Sequence, residues 1–197
     1  MTIIDIGAYS TTMYVLQGRR LQFIRALKFG ADGLHTALEQ GLGRSAAECA
    51  GLLSHPETVL RPDGRLLIPM NDAIGMVDVR QELDRFTKEV TRLMRYFRSL
   101  HPERSYAGIL DQAVLCGGVV GLPGLSEYLA TALGLRMELS RPIAGLVTRF
   151  NRETFAEVSR RQEQLAAAMG LALAGLAPRS DQQEESRGRD YAWHRVA

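Results

Sequence analysis

Residues 1–27 read MTIIDIGAYSTTMYVLQGRRLQFIRAL. An apolar, β-branched run carries Asp5 near its end, turns at Gly7 and meets Ser10, Thr11 and Thr12. TTMYVLQ then sets Met13 and Val15 on one face and Tyr14 and Leu16 on the other. GRR makes a tight turn with Gly18 at its corner. LQFIRALKF follows as a third run, with Leu21, Phe23 and Arg25 alternating against Gln22 and Ile24. Such short connections make the three strands antiparallel neighbours. What remains to be explained is an acid at the end of the first buried strand, beside a glycine and three hydroxyls.

Outward from this meander the chain turns helical. Asp32 is placed to cap a helix carrying Leu34, Leu38 and Leu42, with Ala37 on the same side. SAAE is a capping box, with Ser45 at the N-cap and Glu48 three residues on. Pro56, Pro62, Gly64 and Pro69 punctuate the stretch of about 55–78, and RLLIPM reads as a short strand within it. VRQELDRFTKEVTRLMRYFRSL is the clearest helix: Leu83, Phe86, Val90, Leu93, Met94 and Phe97 recur at helical spacing, and His101 with Pro102 predicts its end. QAVLCGG is the next buried strand, GLPGLSEYLATALG a helix with Gly134 near its end, and RMELS a short strand. A last helix over about 152–176 is expected to bury Phe155, Val158, Leu165, Met169 and Leu173. Residues 177–197 form a polar tail whose larger apolar groups are Tyr191 and Trp193, and it is expected to be mobile.

Composition narrows the function classes. The 197 residues suit one domain with an insertion, and 46% hydrophobic content is that of an ordinary core. A net charge of +2 gives no argument for nucleic acid or a membrane surface. Cys49 and Cys116 are far apart and in no ligand pattern, which suits a reducing compartment. His35, His55, His101 and His194 are scattered, and solvated surface positions explain them more simply than a metal site. No run is long and apolar enough to span a bilayer.

The order is three antiparallel strands, a helix, a strand, a helix, a strand and a helix, with 31–79 inserted after the third strand. It is the order of the ribonuclease-H-like α/β fold, with a mixed sheet. The expected core is residues 1–30 and 80–176. Two chemistries share this fold. A two-metal nuclease needs carboxylates clustered on the first strand, first helix and fourth strand. Asp5 supplies one, but the fourth strand ends in Cys116, Gly117 and Gly118, and Asp111 precedes it at the far end. A phosphate clamp needs one acid near metal-bound phosphates, small residues in the adjoining turn, and glycines where a nucleoside meets backbone. DIGAYSTT and GGVVGLPGL supply these.

Here the chain resembles the second half of an actin-like ATPase. DIGAYST is similar to the second phosphate motif of that superfamily, and VLCGGVVGLPGL to its adenosine motif. Within it the chain resembles PilM-type proteins of type IV pilus assembly, relatives of the division protein FtsA. FIRALKFGADGLHTAL, AECAGLL, RLMRYFRSL, VLCGGVVGLPGLSEYLATALGLRMELSRP and AAAMGLALAGL fall in that family's order.

The resemblance implies ATP and Mg2+ as ligands. Asp5 would hold the metal through water. Gly7, Ser10 and Thr11 would face the phosphates, and Gly117, Gly118 and Gly121 the nucleoside. Glu48 matches an Ala-Glu-x-x-Lys contact to sugar and base, although Gly51 stands where the lysine is expected. Glu48 is equally a plain capping acid, and Asp5 a plain turn cap. The sequence opens at the second phosphate motif, so the first lobe is expected from elsewhere, and no ATPase activity is expected of this chain alone. The implied role is a cytoplasmic scaffold, peripheral to the inner membrane through pilus assembly partners, with self-association and without nucleic acid. The alternatives are an FtsA-like division or type II secretion platform component, and a ribonuclease-H-like nuclease.

Overall fold

A computed structural model describes residues 1–176 except 71, 72, 101, 104, 145, 147 and 148. The tail at 177–197 and the His101 helix stop lie outside the described residues. By its internal contacts the chain divides into two units, Met1–Ala166 and Ala167–Ala197.

Three strands form the expected meander: β1 (Thr2–Ile6), β2 (Thr11–Gln17) and β3 (Arg20–Leu27). β1 alternates strictly: Ile4 and Ile6 are fully buried, while Ile3 and Asp5 are half-buried. Helix α1 (Ala31–Leu42) buries Leu34 and Leu38. Its N-cap is Gly30, not Asp32, which lies inside the first turn. An acid there still favours the positive end of the helix dipole. The short helix α2 (Ala46–Cys49) opens on the expected capping box of Ser45 and Glu48.

The inserted stretch holds more structure than its punctuation suggested. β4 (Val59–Leu60), β5 (Arg65–Pro69) and β6 (Ile74–Asp78) form an antiparallel three-stranded sheet. Leu60, Leu66, Ile68 and Val77 are buried in the same apolar cluster as the main core. Gly41 of α1 lies so near Val77 that an added Cβ would stand 2.6 Å from its Cγ1.

α3 (Arg80–Leu100) buries the six residues its periodicity picks out. Phe86 stacks on Phe29 with centroids 4.4 Å apart, and Phe97 meets Phe23 at 5.3 Å. Such pairs add about 0.5–1.5 kcal/mol beyond their buried area. β7 (Gln112–Gly117), α4 (Leu125–Leu133) and β8 (Arg136–Leu139) complete the core. The main sheet runs β3-β2-β1-β7-β8. β1 pairs antiparallel with β2 and parallel with β7, so the mixed sheet is as expected.

The last helix differs from expectation. It is broken at Arg161 into α5 (Arg152–Arg160) and α6 (Ala166–Leu176), with a 3-10 turn at Gln162–Leu165 between them. None of the three pieces buries a residue: Phe155 is 45% exposed and Leu173 48%. Periodicity reports which side of a helix wants burial, not whether a partner is there.

One main-chain contact joins the small sheet to the loop after β7. Leu60 N–H donates to Pro123 O at 2.8 Å. Beside it, Gly124 sits at φ 87, and a Cβ there would stand 2.0 Å from Leu60 O. Gly124→Ala therefore combines backbone strain with a clash, and we expect it to cost about 2–4 kcal/mol in urea unfolding of the 197-residue chain. A loss below about 0.5 kcal/mol would show that the two parts slide freely at this point.

Candidate functional site

The register of β1 sets the first half of the site. Asp5 lies opposite Thr12 on β2 and opposite Cys116 on β7. The Cys116 thiol is buried and neighbours the Asp5 carboxylate across the β1–β7 pairing. Burial, with the neighbouring carboxylate as a second cause, pushes that thiol from its ordinary 9.0 up to about 12. The thiol therefore stays protonated at neutral pH and is not a nucleophile.

Past Asp5, Gly7 N–H donates to Ser10 O at 3.0 Å and closes a tight turn. Ser10 is exposed on it. Thr11 is not: it is 0% exposed, and its hydroxyl donates to Phe29 O at 2.9 Å. That bond fixes β2 to the approach of α1, so the phosphate-facing reading of Thr11 is withdrawn. α1 backs directly onto the turn, since Ala31 N–H donates to Gly7 O and Asp32 N–H to Ala8 O.

The second half is a cavity of about 460 Å³. Gly118, Val119, Gly121, Leu122 and Pro123 form one wall. The insertion gives Leu53, Ser54, His55 and Pro56, α1 gives Ala31 and His35, and the segment 157–164 adds Arg160 and Arg161. Ala31 thus belongs both to the turn that follows Asp5 and to the cavity.

The glycines divide by what needs them. Gly117 sits at φ 110 with Ile6 O 2.2 Å from where a Cβ would be, so sheet geometry alone requires it. An added Cβ at Gly118 or Gly121 meets nothing within 4 Å, and both residues line the cavity. The open space against them suits a flat ligand resting on backbone. Glu48 does not line this cavity; its carboxylate accepts from Ser45 N and Oγ at 2.9 and 2.7 Å. Those two bonds hold it below the usual carboxylate range. Two histidines that looked scattered, His35 and His55, line the same cavity, and no sequence spacing could have shown it.

Among the described residues no three His, Cys, Asp or Glu side chains gather as a metal-ligand set. Asp5, a lone half-buried carboxylate, fits a metal held through water.

Known proteins resemble this chain in sequence and fold. No protein-family profile matches the chain. The cell division protein FtsA of Streptococcus pneumoniae serotype 2 is 26% identical over 146 residues, 72% of this chain and 32% of the relative. Among solved structures, a chain of the PilM-PilN type IV pilus biogenesis complex superposes with a TM-score of 0.66 at 24% identity, over 90% of this chain and 46% of that one. The MamK double helical filament matches with a TM-score of 0.56 at 14% identity, over 90% of this chain and 55% of that one.

This is the actin-like fold. The chain spans about a third of the FtsA relative and less than half of the matched chain of the PilM-PilN complex. Within the actin-like fold, the Asp5 turn and the glycine wall stand at the ends of the paired central strands β1 and β7, where a sheet of this kind presents its crevice.

The Cys116–Asp5 contact makes a prediction with a definite sign. The thiol's folded value is raised, so its contribution is full below 9.0 and is lost as the pH rises toward 12. Wild-type stability should fall more steeply than that of Cys116→Ser in urea melts across this window. At pH 8 the native thiol should react with a disulfide reagent about a thousandfold or more slower than free cysteine. Rapid native labelling of Cys116 would show that the thiol is not held against Asp5.

Proposed function

We propose that the chain is the second-lobe portion of a PilM-like scaffold of a pilus inner-membrane assembly complex, and that it carries one face of an actin-type ATP cleft. The observation that carries this reading is the joined pair of features on one edge of the fold: the Asp5 turn with exposed Ser10, and a cavity walled by open glycines. Nucleoside would lie against Gly118 and Gly121, with phosphates toward Gly7 and Ser10 and a magnesium ion reached by Asp5 through water. ATP with magnesium would supply the phosphate chemistry when bound; Asp5, Gly7 and Ser10 would orient it and contribute one of the two phosphate loops a closed clamp uses. The likeness to a chain of the PilM-PilN complex supports a membrane-complex partner of the PilN kind. The scaffold would be cytoplasmic and peripheral to the membrane; among the described residues no helix is long and apolar enough to cross it.

A clamp acts by closing two loops on one nucleotide, and removal of a positioned group costs factors of hundreds or more in rate. On one face the nucleotide stays largely in water, where each contact is worth little. The 197-residue chain should therefore bind Mg·ATP with a Kd of about 1 mM or weaker, about −4 kcal/mol, and release no phosphate. Gly118→Ala should weaken that binding further while leaving stability within about 0.5 kcal/mol, because its Cβ enters the cavity and touches nothing else. Calorimetry with a phosphate-release assay checks both; micromolar affinity, or turnover abolished by Asp5→Ala, would overturn the one-face reading.

A division role is the second reading, favoured by the FtsA relative. Deletion of the coding sequence separates them. Loss of surface pili with normal septation is expected; filamentous, undivided cells with intact pili would favour the division role.

A further inference from the structure

The position where the family resemblance puts a lysine has no side chain here. Gly51 sits at φ 81, with nothing within 4 Å of where a Cβ would be, so any other residue there is strained. Glu48, the acid of the same motif, is satisfied by its own capping box and lies outside the cavity lining. Neither position offers a donor to a ligand in the cavity.

A donor stands a few residues further on. The 3-10 turn Leu52–Ser54 ends at His55, and Ser54 and His55 both line the cavity that Gly118 and Gly121 wall from the other side. The backbone of His55 is held on both sides: its N–H donates to Leu52 O at 3.2 Å, and its O accepts from Thr58 N–H at 3.0 Å. Its ring is held too, because Nδ1 accepts from Glu57 N–H at 3.2 Å. A neutral imidazole that accepts at Nδ1 carries its proton on Nε2. His55 is exposed, and among the described residues Nε2–H meets no acceptor, so it is open to donate to water or to a ligand in the cavity. A lysine ammonium is likewise a pure donor, but charged and flexible.

Resting on the reading of the cavity as a nucleoside site, we propose that His55 is its specificity-determining residue, donating Nε2–H to a sugar hydroxyl oxygen of the nucleotide. The contact then comes from a neutral, directional group on the far side of the 3-10 turn instead of an acid–lysine pair. It discriminates by the presence of a hydroxyl, since a deoxy sugar leaves the donor unmatched.

The test is an NMR titration of the 197-residue chain with ATP, 2′-deoxy-ATP and 3′-deoxy-ATP up to about 10 mM, a range suited to weak binding. Wild-type chain should bind ATP more tightly than one of the deoxy analogues by about 2–10-fold, the range for one neutral hydrogen bond. His55→Ala should lose affinity for ATP by that factor and should treat ATP and the analogue alike. His55→Gln, which keeps a side-chain N–H donor, should recover part of the discrimination, which a merely structural role would not predict. Amides of 118–122 should still shift in each variant. If they shift with ATP but His55→Ala keeps wild-type affinity or discrimination, the role of His55 is overturned and the nucleoside site stands. If wild-type chain binds ATP and both analogues equally, His55 is excluded without any variant. If no amide of 118–122 responds to ATP, the nucleoside reading falls and this inference with it.

Discussion

The parallel pairing of β1 with β7 is the contact on which the rest depends. It brings Asp5 beside Cys116 and sets Gly117, from which β7 runs on into the glycine wall, opposite Ile6. Gly118 N–H continues the ladder by one more bond, to Ile6 O at 3.1 Å. A side chain at 117 would drive its Cβ into that same carbonyl. The pairing and the start of the cavity are therefore one structural event. Parallel neighbours need a long crossover. Here it holds α1, the small sheet and α3, so the walls given by α1 and by residues 53–56 reach their place through the same crossover.

How much of this was legible in the sequence depended on the range of the interaction. The meander and α3 were readable because their signals are local: periods of two and of 3.6 over runs long enough to count. The mixed sheet followed from element order. The small sheet was mostly hidden, because β4 spans only two residues and β6 includes Gly75 and exposes Ile74 and Met76. A strand that short is defined by its partner, not by its own pattern. The break at Arg161 left no local signature such as proline or glycine.

Site residues were legible in proportion to how few roles their chemistry allows. Asp5 and the glycine run stood out in the sequence because an acid at a strand end and a glycine run are each unusual, and the structure sets them at the ends of neighbouring strands. Thr11 was misplaced because a hydroxyl on a β-branched residue serves a phosphate and a backbone carbonyl equally well. Burial alone decides between them, and the residue lies wholly inside. Glu48 was ambiguous in the same way, and its capping box is what the structure displays. The joining of His35 and His55 in one cavity is a tertiary fact, twenty residues apart in sequence and set by how α1 and the 3-10 turn fold back.

The cavity's two principal walls are tied to each other through very little chain. His55 stands on one wall, and five residues later Leu60 N–H bonds Pro123 O at 2.8 Å on the other. Between them His55 O accepts from Thr58 N–H, which fixes the intervening turn. The glycine wall is itself pinned at both ends, by Gly118 to Ile6 O and by Pro123 to Leu60. A ligand entering meets surfaces that are already ordered and loses little affinity in ordering them. The same ties mean that the walls cannot separate far without breaking main-chain bonds at Leu60 or Gly118. Movement of the small sheet and the shape of the cavity are thus mechanically linked, and occupancy of the cavity would be felt first at β4.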